Sequence, residues 1–427
     1  MKRALIITYY WPPAGGPGVQ RWLKFVKYFR NFGIEPIVYV PENPNYPLMD
    51  KKFMDEIPSD IEILKYPIKE PYGLAKVFGK NKTKQLSSGI ITPKSDSAIE
   101  KVLLYVRGNF FIPDARVGWV KPSVRFLSGY LIENPVDVLI TTGPPHSLHL
   151  IGMQLKHAMG IKWLADFRDP WTTIHYHQAL RLNQRSQIKH EHLELEVLNT
   201  ADVITVTSPT TKSEFRLKTK VPIHVITNGY DEDIEEKVVE LDPYFSISHI
   251  GSLLSGRNPV IFWKILKEIS EELPTFNKDL QLNLAGAVSE EVINSISENG
   301  LTSHTQYLGY ISHAEALKLQ KRSQLLLLVE MDRPETKCII PGKLFEYLAA
   351  KRPIIAFGPQ GSDIKDILDD TKAGLFFDWK NNDSVKSTIL KYYDDFKNKR
   401  LEIVPKDIRK YSRKELTHKM ANLINSL

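Results

Sequence analysis

Cysteine is almost absent from this chain of 427 residues; the one that occurs is Cys338. A single thiol excludes an internal disulfide framework and a cysteine-rich zinc site, and it fits a reducing compartment. Cys338 sits in "KCII" with no neighbouring histidine and reads as a packed residue. Long apolar runs are missing too: none approaches the roughly 20 residues of a membrane-spanning helix. "LLLLV" at 325–329 reads as a core strand instead. The start "MKRALIITYYWPP" imitates a signal peptide, but its apolar core is short and runs into aromatics and prolines rather than a small-residue cleavage site. These features predict a soluble, cytoplasmic protein.

Other absences narrow the chemistry. The twelve histidines contain no HExxH, and no G-x-S-x-G nucleophile elbow occurs. His175/His177 and His190/His192 stand two apart, a spacing that splays side chains on a helix, so they read as solvated. No zinc-finger spacing, RNP motif or basic groove-facing helix marks a nucleic-acid binder. Neither a metal nor a nucleic-acid partner is expected.

What is present is the composition of a globular chain, 25% charged and 42% hydrophobic, long enough for two or three domains. The net charge of +7 fits an ordinary solvated surface, with a membrane-surface role as the second reading. Candidate strands alternate with amphipathic stretches along the whole length. They are "ALIIT" (4–8), "PIVYV" (36–40), "VDVLIT" (136–141), "KWLAD" (162–166), "VITVT" (203–207) and "IHVIT" (223–227). The second half adds "FSISHI" (245–250), "LQLNLA" (280–285), "QLLLLV" (324–329), "PIIAF" (353–357) and "GLFF" (374–377). This rhythm marks α/β doubly wound sheets, with too many strands for one sheet.

The acidic, turn-rich passage at 228–243 reads as a linker. Expected domains are therefore 1–228, 229–405, and a C-terminal helix over 406–427 that packs back on the first domain, with Leu416, Met420, Leu423 and Leu427 on one side. An insert at about 70–125 breaks the rhythm. Its part at 78–97 is polar and basic and reads as a mobile surface loop. The stretch that follows sets Leu103, Leu104, Val106, Phe110 and Phe111 beside Lys101 and Arg107. It reads first as a core helix with a solvated side, and second as a basic amphipathic segment lying on an anionic membrane.

Chemistry is expected beyond the carboxyl ends of strands, where open α/β sheets bind ligands. After the first strand, Gly15, Gly16 and Gly18 lead into a helix carrying Val19, Trp22, Val26 and Phe29 on one face, with Gly33 to end it. Glycines allow close backbone approach, and a helix N-terminus suits an anion; the other reading is a tight turn with no ligand. "TTGPPHS" (141–147) follows another strand and carries His146. "ADFRDPW" (165–171) crowds Asp166, Arg168 and Asp169 at a strand end, for sugar hydroxyls or acid–base work, or as a brace of the loop. "HIGSLLSGRNP" (249–259) offers Gly251 and Arg257 to a diphosphate. In "ETKCIIPGKLFEYLAAKRP" (335–353), Pro341 and Gly342 open a helix with Lys343 in its first turn. A cation there opposes the helix dipole, which makes sense if an anion neutralises it. Glu346 stands one turn further in, within reach of a ribose.

In this order these motifs, with "VITVTSP" (203–209) and "VITNGYD" (225–231), resemble the GT-B glycosyltransferases of family 4, of the bacterial cell-surface polysaccharide type. The resemblance spans almost the whole chain. It implies two Rossmann-like doubly wound domains facing a central cleft, the first for the acceptor and the second for the nucleotide-sugar. It implies a retaining transfer from a nucleotide-diphosphate sugar to a hydroxyl of a surface-glycan or lipid-linked acceptor, with no metal. Arg257, Lys343, Arg168 and Asp169 would be catalytic. Gly15, Gly16, Gly18, Gly251, Gly342, Glu346 and Glu335 would hold the donor, and His146 and Asp166 the sugar or acceptor. The chain departs from the family pattern in three places. The first Glu of Glu-x7-Glu falls on Cys338, with Glu335 as a substitute; a basic position beside Arg257 is Asn258; and Arg168-Asp169 stands where His-Asp is usual. A nucleotide-sugar epimerase and a non-catalytic binding protein are the alternative readings on this fold.

Overall fold

The computed structural model describes residues 1–70, 98–232, 239–380 and 383–427. The surface loop expected at 78–97 lies outside the described residues, as do residues 233–238 of the expected linker. The chain divides into two compact units, one of Met1–Thr227 with Arg413–Leu427, the other of Asn228–Ser412.

Unit 1 is built on a seven-stranded sheet in the order β3-β2-β1-β4-β5-β6-β7. Its strands are β1 (Lys2–Ile7), β2 (Ile34–Pro41), β3 (Glu62–Tyr66), β4 (Val138–Gly143), β5 (Lys162–Phe167), β6 (Val203–Val206) and β7 (Ile223–Val225). All pair in parallel, with Ile6 opposite Val38 on one side and Ile140 on the other. Successive residues of a strand point to opposite faces, and helices cover both. Thus Leu5 and Ile7 join one core cluster while Ala4 and Ile6 join the other. The helix Pro17–Phe29 packs Val19, Trp22, Val26 and Phe29 into the second cluster, and Gly33 turns left-handed at φ 77° to end the short Arg30–Phe32 turn that follows. The helix Arg413–Ser426 adds Leu416, Met420, Ala421 and Ile424 to the same cluster.

Unit 2 repeats the plan with six parallel strands in the order β10-β9-β8-β11-β12-β13. These are β8 (Phe245–Ile250), β9 (Leu280–Ala285), β10 (Thr305–Gly309), β11 (Leu325–Val329), β12 (Ile354–Gly358) and β13 (Gly374–Asp378). The helix Gly342–Ala350 buries Leu344, Phe345 and Leu348 against Leu326, Leu328 and Ala356.

Both sheets are Rossmann-like, and each reverses strand order at one place: between β1 and β4, and between β8 and β11. Crevices for ligands open beyond the carboxyl ends of strands at such switch points. Two strands escape the sequence reading, β3 and β10. Both are sheet edges, and "EILKY" and "TQYLG" lack the buried run of a central strand.

The expectation of a core helix before residue 111 needs correction. The helix Ala98–Phe110 turns Val102, Tyr105, Val106 and Phe110 to solvent. Among the described residues, no helix is long and apolar enough to cross a membrane.

Candidate functional site

At the β8/β11 switch point of unit 2, basic groups gather over a glycine backbone. β8 ends on His249 and Ile250, and Gly251 follows in the left-handed region at φ 116°. A Cβ at position 251 would stand 2.9 Å from Lys343 Nζ, so the ammonium lies directly over this backbone. Lys343 comes from the first turn of the Gly342–Ala350 helix, and its Nζ is 3.1 Å from His249 Nε2. The other ring nitrogen, His249 Nδ1, lies 3.0 Å from the carbonyl of Leu327 on β11. Burial pushes the Lys343 ammonium down to about 7, assisted by Arg257 and opposed by Glu330 and Glu346. Burial, and then Lys343, holds His249 well below the usual imidazole range, so it is neutral.

Arg257 closes this site from the loop after β8. Its Nε and Nη2 donate to Glu330 Oε1 at 3.1 and 2.9 Å. Glu330 follows directly on β11 and is fully buried; the backbone N–H of Met331 donates to the same oxygen, and Oε2 is buried with no hydrogen-bond partner among the described residues. Glu330 is a site residue that the sequence reading missed. Its one signal was a carboxylate standing immediately after an apolar strand. Glu346 accepts from Gln320 Nε2 at 2.9 Å, and its Oε1 is 3.0 Å from His313 Nε2. Gly342 opens the helix with free space where a Cβ would be. Glu335 belongs to the short turn Pro334–Thr336, and its backbone carbonyl accepts from the buried Cys338 thiol at 3.6 Å. Among the described residues its carboxylate makes no hydrogen bond to the Lys343 cluster.

The β1/β4 switch point of unit 1 holds the glycine turn. Gly16 takes φ 97°, a conformation that favours glycine, and precedes the Pro17–Phe29 helix. The N–H of Gly15 donates to Leu48 at 2.9 Å, tying the turn to the loop after β2. Arg168, just beyond β5, lies against Gly18. Its Nε donates to the Gly143 carbonyl at 3.3 Å, its Nη2 donates to the Pro144 carbonyl, and its guanidinium stands 5.7 Å from the Tyr10 ring. Burial pushes the neighbouring Asp169 carboxyl up, with Arg168 opposing, and Tyr176 Oη donates to it at 3.2 Å. The structure thus brings Gly18, Arg168 and Gly143 together, with Asp169 beside them in sequence.

Asp166 is a different matter. It is fully buried and takes five hydrogen bonds: Nε and Nη2 of Arg21 at 3.2 and 2.8 Å, Trp22 Nε1 at 2.9 Å, Thr142 Oγ1 at 2.9 Å and Thr205 Oγ1 at 2.8 Å. A carboxylate has about four lone-pair sites, so none is left for a sugar. Asp166 fastens the first helix to three strands and is no ligand contact. Its partner is Arg21, not the neighbouring Arg168.

His146 also belongs to the interior. Its ring stacks on Trp171 at 4.8 Å, and both its nitrogens are buried with no hydrogen-bond partners among the described residues. Burial, then His149, drives its basicity well down. The solvated reading of His177 and His190 fails as well: both are buried, their rings 4.6 Å apart. Among the described residues these histidines form no group able to hold a metal.

Comparison with known proteins bears on the class and the fold. Residues 87–234 match the family model described as Glycosyltransferase Family 4, and residues 245–395 match the one described as Glycosyl transferases group 1. The chain is a glycosyltransferase of the GT-B fold, with a family-4 domain followed by a group-1 domain. Among solved structures it is similar to a glycosyltransferase from Rickettsia africae, at TM-score 0.64 and 13% identity over 100% of this chain and 98% of that one. It is similar to Anabaena Alr3699/HepE, solved with UDP-glucose, at TM-score 0.61 and 11% identity over 100% of both chains. The lipopolysaccharide outer core galactosyltransferase WaaB superposes at TM-score 0.60 and 13% identity, over 100% of this chain and 99% of that one. No curated protein sequence matches this chain.

Proposed function

We propose that this glycosyltransferase moves a sugar, with retention, from a nucleotide-diphosphate sugar to a hydroxyl of a surface-glycan or lipid-linked acceptor. The observation that carries the reading is the pair of basic side chains at the β8/β11 switch point. Lys343 stands over the Gly251 backbone, and Arg257 stands beside it on Glu330. Charge develops on the diphosphate as the glycosidic bond breaks, and fixed cations in a partly dry site stabilise it more than water does. On this reading Lys343 and Arg257 receive the leaving diphosphate, and Glu346 accepts a ribose hydroxyl. The departing phosphate oxygen takes the proton of the acceptor hydroxyl as that hydroxyl attacks the same face of the sugar. In unit 1, Arg168 and the Gly15–Gly18 turn offer further donors to an anion, and the raised Asp169 carboxyl can accept from a hydroxyl.

The relatives support the class of ligand: one was solved with UDP-glucose and another is a lipopolysaccharide outer core galactosyltransferase. A thermal-shift screen of UDP, GDP, ADP, CMP and the common sugar nucleotides tests the donor. A ligand at a hundred times its dissociation constant adds about 2.7 kcal/mol, which is a rise of roughly 5–11 °C for units of this size. A shift with one base names the donor. No shift with any favours the non-catalytic reading, for which the buried Cys338 in place of a carboxylate is the supporting observation. Release of an altered sugar without acceptor would mean an epimerase.

We also propose that the protein works at the inner face of a membrane, docked through the exposed Val102, Tyr105, Val106 and Phe110. Liposome co-sedimentation tests this. Binding to anionic vesicles that weakens with salt supports it, and no binding at low salt removes it.

A further inference from the structure

The Lys343 ammonium is held from an unexpected side. A lysine in the first turn of a helix opposes the dipole and would ordinarily swing out to water. Here it is folded inward against His249, a side chain only 1% exposed on a central strand. The imidazole is fixed from behind. The Leu327 carbonyl can only accept, so Nδ1 carries the proton and Nε2 presents its lone pair to Nζ.

We propose that His249 is a positioning residue for the phosphate-binding lysine: its Nε2 holds the Lys343 ammonium over the Gly251 backbone, aimed at the diphosphate of the donor. This rests on the reading of Lys343 as a diphosphate ligand. The choice of imidazole has a physical reason. A carboxylate at position 249 would orient the lysine but would also pair with it and compete with the incoming anion. A neutral imidazole orients the ammonium and leaves its charge uncancelled.

The charged groups facing Nζ are few, and they come from every element around it. Arg257 of the loop after β8 repels, Glu330 at the end of β11 and Glu346 of its own helix attract, and the neutral His249 of β8 accepts. With Nζ titrating near 7, much of the free protein carries a neutral amine at pH 8. A bound diphosphate favours the charged form, so binding draws in a proton there.

The test titrates UDP, GDP and ADP into the full-length chain by calorimetry at pH 8, in two buffers of different ionisation heat. The proteins are wild type, His249→Leu, His249→Gln and Lys343→Arg. Leu removes the acceptor, while the Gln carbonyl reaches the place of Nε2. Loss of one charge-assisted contact corresponds to about 10-fold or more in affinity. The expected result is that loss in His249→Leu, with most of it restored in His249→Gln. Proton uptake is expected in wild type and none in Lys343→Arg. A folded His249→Leu that binds the nucleotide as wild type does, without change in proton uptake, overturns the proposal.

A second readout needs no nucleotide. Lysines are carbon-13 methylated, and the Lys343 signal, assigned from Lys343→Arg, is followed against pH in wild type, His249→Leu and His249→Gln. A moved midpoint or shift in His249→Leu, regained in His249→Gln, supports the contact, and identical curves overturn it. If no nucleotide binds wild type, the donor reading fails, and this titration still decides the His249–Lys343 contact. If His249→Leu does not fold, wild type against His249→Gln decides it: a Lys343 curve kept in His249→Gln supports the contact, and one that matches an exposed lysine overturns it.

Discussion

Arg168 closes over Gly18: a side-chain carbon at position 18 would overlap its Nη1. The glycine is needed for that contact, since its backbone has no positive φ. Alanine is the better helix former, and Gly18 lies in the first turn of a helix. Gly18→Ala should therefore change stability by no more than about 1 kcal/mol while pushing the guanidinium away. Sugar transfer should fall about 10-fold or more, or about 1.4 kcal/mol in the barrier. Adding Arg168→Ala to Gly18→Ala should cost little further activity, because both changes remove one thing. Full additivity of the two losses would show that the contact does not matter.

Asp166→Asn should act on the fold rather than on the sugar. The substitution leaves the buried Arg21 charge without a counter-ion, a loss of about 3–5 kcal/mol. The melting temperature of unit 1 should drop by on the order of 10 °C. Nucleotide affinity at unit 2, measured below the new transition, should stay as it was. An unchanged melt with weakened substrate binding would return Asp166 to the ligand contacts.

Acid should unfold unit 1 earlier than its carboxylates alone would. Burial holds His149 down at about 3 and His177 at about 4, and it lowers His146 and His190 as well. These folded values lie below the free imidazole value near 6.5, so between them the unfolded chain binds more protons. Stability is then complete above about pH 6.5 and falls as the pH drops below it, by at most about 1.4 kcal/mol per pH unit for each histidine. Melting curves from pH 7.5 to 4.5 give the slope. His146→Phe keeps a ring on Trp171 and removes two unpartnered nitrogens, so it should flatten that slope by one histidine's share. A slope that is the same in the variant would place the acid sensitivity elsewhere.

Arg257→Ala should weaken nucleoside-diphosphate binding by about 10- to 100-fold, the range of a charge-assisted hydrogen bond. Binding of the corresponding nucleoside should be untouched. Glu330→Gln keeps the shape but cancels the negative charge beside Arg257 and Lys343, so it should raise diphosphate affinity while loosening the arginine. Calorimetric titrations of both variants check the opposite signs. Weaker diphosphate binding in both would mean that Glu330 acts mainly by holding Arg257 in place.

With two cations assigned to the leaving diphosphate, transfer is expected to persist in EDTA. Assay of the wild-type protein with chelator, then with added magnesium or manganese, checks this. Loss in chelator and recovery with metal would show that a divalent ion shares the diphosphate.

The sequence by itself determined the architecture. Apolar runs such as 4–7 and 325–329 are buried on both faces, so their composition declares a parallel sheet before any partner strand is known. Glycine turns after such runs mark where ligands are met, and the order of the motifs carries the family resemblance. Edge strands β3 and β10 were illegible because their residues face water and keep no apolar signature. Tertiary structure alone decided which charges are free to meet a ligand. Asp166 and Arg168 stand two residues apart in one motif, yet one is consumed by Arg21 and the other leans on Gly18. His249 is far in the chain from Glu330 and Lys343, and it meets Lys343 only because β8 and β11 are neighbours in the sheet. A charged residue's role depends on its through-space partners and on how dry they are. The local pattern that fixes helix and strand carries neither.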